Sequence, residues 1–300
     1  MTHNLVTSQL GARALDKASE LLTAWGNHPA LGRKLRKARK DPAYGVSLRG
    51  KRVLVTGSSS GIGEQAAYQL GKIGAQVVLV ARRAEELESV AKRIRTTGGR
   101  AEAIPCDLRD LDAIDALVAE VVGKHGGVDV LVNNAGHSIR RSLPEQLERW
   151  HDIERTMQIN YFGATRLIRG FLPGMLERGD GHIINVTTGG VLSEGVPKFA
   201  GYISAKAALS TMGRNINMEL RHKGVGATTL YYPLVRTPMI APTEKFAEVP
   251  SLSSEEAAEW IVLAARTRPS RIAPKLFAAS PGFVALFPEL SEKVIGLQGR

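Results

Sequence analysis

Tyr202 and Lys206 stand four residues apart, a spacing that puts two side chains on one face of a helix. A free phenol ionises near pH 10 and exchanges protons poorly at neutral pH. An ammonium beside it favours the phenolate and draws that value down, so the pair is a candidate acid–base couple. Tyr-x-x-x-Lys also arises by chance on exposed helices, so its weight depends on its surroundings. A second feature lies far upstream, where Thr56-Gly57-Ser58-Ser59-Ser60-Gly61-Ile62-Gly63 joins the apolar run Val53–Val55 to a helical segment. Glycines there let the backbone approach a pyrophosphate, while the helix N-terminus faces the anion. Alone such a pattern reads as a flexible turn; between a strand and a helix it reads as a phosphate loop.

The elements that must position these residues alternate along the chain. Short β-branched runs occur at 53–55, 77–80, 128–132, 183–186 and 228–232, with a weaker one at 101–105. Continuous apolar runs of this length suit strands buried on both faces of a parallel sheet. Helical patterns fall between them, around 62–74, 84–97, 110–125, 148–178, 202–223 and 254–267. Gly74, Gly98-Gly99 and Gly224 stand where helices end, and Ser253 with Glu256 has capping-box spacing. The expected fold is α/β: a Rossmann-type doubly wound parallel sheet flanked by helices, in one domain over residues 51–300, after a basic extension over 1–50 that is helical or flexible. No internal repeat is visible.

Further motifs fall in register with the first two. Asn133-Asn134-Ala135-Gly136 follows the fourth strand and Asn160 lies in the long helical stretch. With Thr-Gly-x-x-x-Gly-x-Gly and Tyr202-x-x-x-Lys206, this series resembles the short-chain dehydrogenase/reductase family from about residue 50 to residue 267. The resemblance implies catalysis by Asn160, Thr188, Tyr202 and Lys206. Tyr202 would exchange the proton with the substrate oxygen, Lys206 would also bind the nicotinamide ribose, and Asn160 would hold a relay water. It implies cofactor contacts at Gly57, Ser59, Ser60, Gly61, Ile62 and Gly63, at Asp107 and Leu108 by the adenine, and at Asn134, Ala135 and Gly136. No metal is expected. Family members usually pair into homodimers or homotetramers through helices such as 148–178 and 202–223.

Which nicotinamide cofactor is used depends on the end of the second strand. A carboxylate there binds the ribose of NAD. This chain has Ala81 followed by Arg82 and Arg83, and a guanidinium binds a 2′-phosphate. The expectation is NADP(H), with Arg82 as the main contact; Arg83 alternatively belongs to a solvated first helical turn. Cys106 beside Asp107 reads as a buried strand-end residue.

Two departures from the family pattern stand out. Thr188 occupies the usual serine position; its hydroxyl can still donate to a carbonyl oxygen, though its methyl narrows the site. Ser193 is the alternative hydroxyl. The sixth strand runs into Pro233-Leu234-Val235-Arg236-Thr237-Pro238-Met239 without the usual glycine, which leaves Pro233, Val235 and Thr237 to hold the carboxamide in a differently shaped loop. That loop, His137-Ser138-Ile139-Arg140-Arg141, and Asn160-Tyr161-Phe162-Gly163-Ala164 resemble bacterial fatty acyl-CoA reductases of the family. This implies reduction of a long-chain acyl-CoA or fatty aldehyde, with Arg140, Arg141 and Arg236 either facing a CoA phosphate or lying as ordinary surface charges. The motifs equally fit a reductase of 3-oxoacyl, steroid-like or other lipophilic ketones, and less readily a non-catalytic NADP-binding regulator. The apolar segment 276–290 forms a lipophilic lid or, the plainer reading, covers the sheet edge.

Composition bounds the rest. With 43% hydrophobic and 23% charged residues in 300, disorder and fibrous classes are excluded. No apolar run reaches the roughly 18 residues of a membrane span, and the first thirty residues lack a signal-type core. The single cysteine makes no internal disulfide and fits a reducing compartment, so a cytoplasmic protein is expected. The net charge of +11 is concentrated in the first fifty residues, where nine Lys or Arg face three acidic residues. That is a basic appendage on a near-neutral body, with no nucleic-acid motif. Leu31 and Leu35 could give it an apolar edge that rests on an anionic membrane, although a solvated face is the more ordinary reading.

Overall fold

The computed structural model describes residues 23–297 apart from Ala24, Leu31, Pro42, Pro242, Glu244, Lys245, Ala247 and Ala279, and apart from the side chains of Arg33, Lys34 and Leu276. Seven strands form one sheet in the order β3-β2-β1-β4-β5-β6-β7, with every pairing parallel. They are β1 (Arg52–Thr56), β2 (Gln76–Ala81), β3 (Arg100–Pro105), β4 (Val130–Asn133), β5 (Gly181–Thr188), β6 (Val225–Tyr232) and β7 (Arg271–Ile272). Central strands such as Val130-Leu131-Val132 are buried on both faces, which is why their apolar runs do not alternate. The chain winds outward from β1 to β3, then returns beside β1 as β4 and winds outward the other way. The reversal between β1 and β4 opens a crevice at the carboxyl ends of the strands.

Helices cover both faces, as expected of a doubly wound sheet. One core joins α2 (Gly61–Lys72), α3 (Ala84–Thr96) and α9 (Ser254–Thr267) to the sheet; the other joins α4 (Leu111–His125), α7 (Gly163–Glu177) and α8 (Ala200–Leu220). Asp110 caps α4 by accepting from the amides of Asp112 and Ala113, and Ser253 with Glu256 forms the expected capping box on α9. Gly74 and Gly224 take left-handed φ values of 87° and 81° at helix ends, where a side chain would be strained.

The long 148–178 helix is interrupted. A short α5 (Leu143–Gln146) precedes α6 (Trp150–Met157), and a π turn over Gln158–Phe162 links α6 to α7. A π turn carries one residue more than an α turn and gathers at functional sites; this one carries Asn160. After β7, three short helices follow: α10 (Lys275–Ala278), α11 (Ser280–Leu286) and α12 (Pro288–Leu297).

The described part of the extension is docked. α1 (Arg33–Lys40) buries Leu35 and Ala38 in the core beside α9. Arg266 of α9 donates to the carbonyls of Ala38, Asp41 and Tyr44. Upstream, the Ala30 amide donates to Ala273 O at 2.8 Å and the Lys275 amide to His28 O at 3.0 Å. Leu35 therefore turns its apolar side inward, which corrects the idea that it forms a membrane-facing edge; Leu31 lies outside the described residues. The exposed side of α1 carries Arg36, Lys37, Arg39 and Lys40. Among the described residues no helix is long and apolar enough to cross a membrane.

Candidate active site

Thr56, at the end of β1, fastens the crevice. Its hydroxyl donates to Val132 O at 3.1 Å and accepts from the amides of Asn134 and Ala135, both at 3.0 Å, which fills most of a hydroxyl's capacity. Asn134 answers by donating its side-chain amide to Thr56 O at 2.8 Å and Gly57 O at 3.3 Å. The glycine loop and the Asn-Asn-Ala-Gly turn are thus one locked unit. Gly57 has φ 66°, and a Cβ there would lie 2.9 Å from Ala135 Cα, so both conformation and space demand glycine. Ser60 stands at the N-cap of α2 without a side-chain capping bond. The first amides of α2 are among those a helix leaves without internal partners, and the loop beside them lines an open cavity.

That cavity has a volume of about 950 Å³, near the top of the range for small-molecule and cofactor sites. Its wall includes Gly57, Ser59, Ser60, Gly61, Ile62, Arg82, Arg83, Leu108, Asn134, Ala135, Gly136, Thr188, Tyr202, Lys206, Pro233, Val235 and Thr237. Three residues proposed from sequence lie outside the wall. Gly63 packs behind the loop against Gly57 O. The carboxylate of Asp107 is taken by Arg109, whose Nε lies 3.1 Å from both of its oxygens, so Cys106 and Leu108 form the wall there. Asn160 is buried behind Gly136. A phosphate cradle, two arginines and an apolar adenine-side wall fit a dinucleotide.

Both arginines expected at the adenine end line the cavity, each with its own contacts. Arg83 reaches back over the glycine loop, its Nη2 donating to Ser59 Oγ at 3.2 Å and Ser60 Oγ at 3.4 Å, while Nη1 pairs with Glu86. Arg82 faces the Asp107 and His137 side, where its charge helps hold the Asp107 carboxyl low behind the larger effect of Arg109. Burial, then the charges of Arg155, Arg82 and Arg109, lowers the His137 pKa.

At the other end Tyr202 and Lys206 share one face of α8, with Lys206 Nζ 6.0 Å from the phenol ring centre. Lys206 Nζ donates to Val186 O at 2.9 Å. Burial pushes the Lys206 ammonium down to about 8 and the Tyr202 phenol up to about 12. The expected lowering of the phenol by its neighbour does not occur in the protein alone, because the ammonium is bonded to a carbonyl at this separation and loss of water outweighs its charge. Thr188, at the end of β5, turns its hydroxyl into the wall, accepting weakly from the Gly190 amide at 3.4 Å. Ser193 also touches the cavity, but its hydroxyl is committed to Gly190 O and Gly195 O. Asn160 donates to the carbonyls of His137 and Thr156, both at 2.8 Å, and accepts from the His137 amide at 3.3 Å. It thereby ties the π turn to the loop following Gly136.

Beside Tyr202 the cavity forms an apolar chamber, the Phe199 ring lying 6.4 Å from the phenol ring. Phe199 and Phe246 stack at 6.4 Å on one side, and Phe277, Phe283, Val284 and Val294 of α10–α12 close the other. A Cβ on Gly189 would meet the Phe277 ring at 2.8 Å, so this glycine admits the roof. The C-terminal helices thus wall the chamber, whereas the plainer sequence reading had them covering the sheet edge. Their apolar content was the available signal; their direction was not.

The family model for short chain dehydrogenases matches residues 51–248. The chain belongs to the short-chain dehydrogenase/reductase family. It is accordingly an oxidoreductase built for a nicotinamide cofactor. Its relatives include a fatty acyl-CoA reductase of Mycobacterium tuberculosis, 56% identical over 90% of this chain and 92% of that one. A fatty acyl-CoA reductase of Acinetobacter baylyi is 46% identical over 86% of this chain and 87% of the relative. Among solved structures, a metagenomic short-chain oxidoreductase in complex with NADP is similar at a TM-score of 0.65 and 31% identity, covering 76% of this chain and 99% of that one.

Proposed function

We propose that this short-chain reductase uses NADPH to reduce long-chain fatty acyl-CoA or the corresponding aldehyde. The observation that carries the reading is the apolar chamber beside Tyr202, lined in part by helices outside the matched family region. The two fatty acyl-CoA reductase relatives support the same substrate class.

In this reading the first amides of α2 and the hydroxyls of Ser59 and Ser60 hold the cofactor phosphates, and Arg83 with Arg82 takes the 2′-phosphate. Bound there, the cofactor supplies a hydride. Val235 and Thr237 hold its carboxamide end, and Lys206 binds the ribose while its charge faces the phenol. Thr188 donates to the substrate carbonyl, stabilising charge that develops on oxygen. Tyr202 gives that oxygen its proton. Burial keeps the phenol protonated, and the positive charge of Lys206 is the group placed to draw it back toward the range in which it can give up that proton. With a thioester, one hydride and one proton add across the carbonyl; the carbon–sulfur bond then breaks, and aldehyde and free thiol leave. Asn160 acts by fixing the loop and, through the π turn, a relay water. Pairing of two chains would cover Phe162 and Met218, both exposed on the long helices.

The test is NADPH oxidation with long-chain acyl-CoA, long-chain aldehyde and small ketones side by side, in wild type and Tyr202→Phe. Turnover of the long-chain substrates, lost in Tyr202→Phe with NADPH binding retained, is expected. Preference for small ketones without turnover of acyl-CoA or aldehyde overturns the reading in favour of a general ketone reductase.

A further inference from the structure

We propose that Arg140 and Lys198, positioned by Arg141, form a binding site for the phosphates of a coenzyme A headgroup at the cavity mouth. The inference rests on the reductase reading and names how that site would recognise the polar half of its substrate. The two loops that flank the mouth are joined there, since the Arg141 amide donates to Lys198 O at 2.7 Å. Ser138 on one loop, and Val196 and Phe199 on the other, line the cavity. Arg140 and Lys198 thus stand one or two residues from cavity-lining positions on two joined loops, distinct from the apolar roof of α10–α12.

The local charge has direction. Arg141 and Arg149 both place Nε on the Asp152 carboxylate, at 3.0 and 3.1 Å, and that carboxylate is only 5% exposed. Two guanidiniums on one buried carboxylate leave surplus positive charge and fix Arg141 as a strut. Arg140, its neighbour, is exposed and forms no ion pair among the described residues. Lys198 sits at φ 70°, a left-handed conformation that an ordinary side chain adopts at a cost, and the bond to Arg141 holds it there. The nearby acid, Glu145, caps a helix by accepting from the Ser142 amide and hydroxyl, and its carboxylate also feels the Arg141 and Lys198 charges. Arg236 stands on a third loop, between the cavity-lining Val235 and Thr237, with its amide donating to Leu252 O.

A guanidinium and an ammonium on a rim, with an apolar chamber inside, match an ester with a long tail and a multiply phosphorylated head. The tail would run under α10–α12 and the phosphates would remain at the rim. A free aldehyde of equal length would use the chamber alone.

The experiment compares one long acyl chain carried as its CoA ester and as its N-acetylcysteamine thioester, which lacks phosphate. Arg140→Ala, Lys198→Ala and the double variant are assayed with both, with Arg140→Lys as the charge-retaining control. The expected result is a fall of about tenfold in the ratio of kcat/KM for the CoA ester over the phosphate-free ester. It should reside in KM, be partly restored by lysine, and shrink as salt is raised. Equal losses with both esters, or no loss with either, would overturn the phosphate site while leaving the reductase reading intact. A wild type that turns over neither ester but reduces small ketones would overturn both.

Discussion

Arg83→Ala should change which nicotinamide cofactor the enzyme accepts. The Arg83 guanidinium lies 3.2 Å from Ser59 Oγ and 3.4 Å from Ser60 Oγ, so its positive charge stands beside the loop proposed to hold phosphate. Its side chain is 55% exposed, and its bonds are to neutral hydroxyls and one surface carboxylate. Removing it should therefore cost folding no more than about 0.5 kcal/mol. A charge-assisted contact to a 2′-phosphate contributes about 1.5–3 kcal/mol. Solvent places this one toward the lower half, at about 2 kcal/mol, or roughly 30-fold in relative affinity. The assay is kcat/KM for NADPH and NADH at one substrate concentration. The ratio should fall about 30-fold in Arg83→Ala and less in Arg82→Ala, whose charge is shared with the Asp107–Arg109 pair. Equal losses with both cofactors, or a wild type that prefers NADH, would refute the assignment of the 2′-phosphate to this corner.

Other perturbations probe the remaining parts. Gly136→Ala would bring a Cβ to 2.7 Å from Asn160 Oδ1 and 3.3 Å from Lys206 Nζ. Displacing those buried groups should cost about 1–3 kcal/mol and lower kcat at least about tenfold; turnover at the wild-type rate in a folded variant would contradict the packing described. Lys206, held at about 8 in the fold against an ordinary lysine value of 10.5, should lose its charge above pH 8, so reduction should decline through one ionisation there. A decline that begins only near 10 would assign it elsewhere. For stability the sign is opposite to that of a lysine with an acidic partner. Below pH 8 the full cost of burying the ammonium is present, and between about 8 and 10.5 the unfolded chain holds more protons, so this contribution rises with pH. Arg266→Ala removes donation to three carbonyls of the docked extension and should lower stability in urea by about 2 kcal/mol, with kcat changed less than twofold.

What the sequence disclosed, and what it withheld, follows from the range of the interactions. The phosphate loop, the alternation of strands and helices and the Tyr202–Lys206 face are written in local patterns: apolar runs, glycines at turns, a four-residue spacing. Leu35 could be seen as apolar, but its inward direction depends on α9, more than two hundred residues away in the chain. The π turn at Asn160 depends on bonds to His137 rather than on helix propensity. β7 has two residues and carries no periodic signal. The side chain of Arg83, just past the end of β2, is placed by contacts to Ser59 and Glu86 that no local pattern shows.

The roof of the chamber buries few of its own side chains. In α11 and α12 the buried side chains are Val284 and Ser291, while Leu286, Phe287, Leu290 and Leu297 are at least half exposed. A segment with so little burial sits at the low end of the local-unfolding scale. Its opening should leave the hydrogen-exchange protection of the sheet unchanged. An apolar ligand beneath it supplies contacts that the fold omits, so occupancy and roof order rise together, each methylene adding to both. Amide exchange in 280–297 should then slow in proportion to ligand chain length, making the roof a ruler that reads what lies under it.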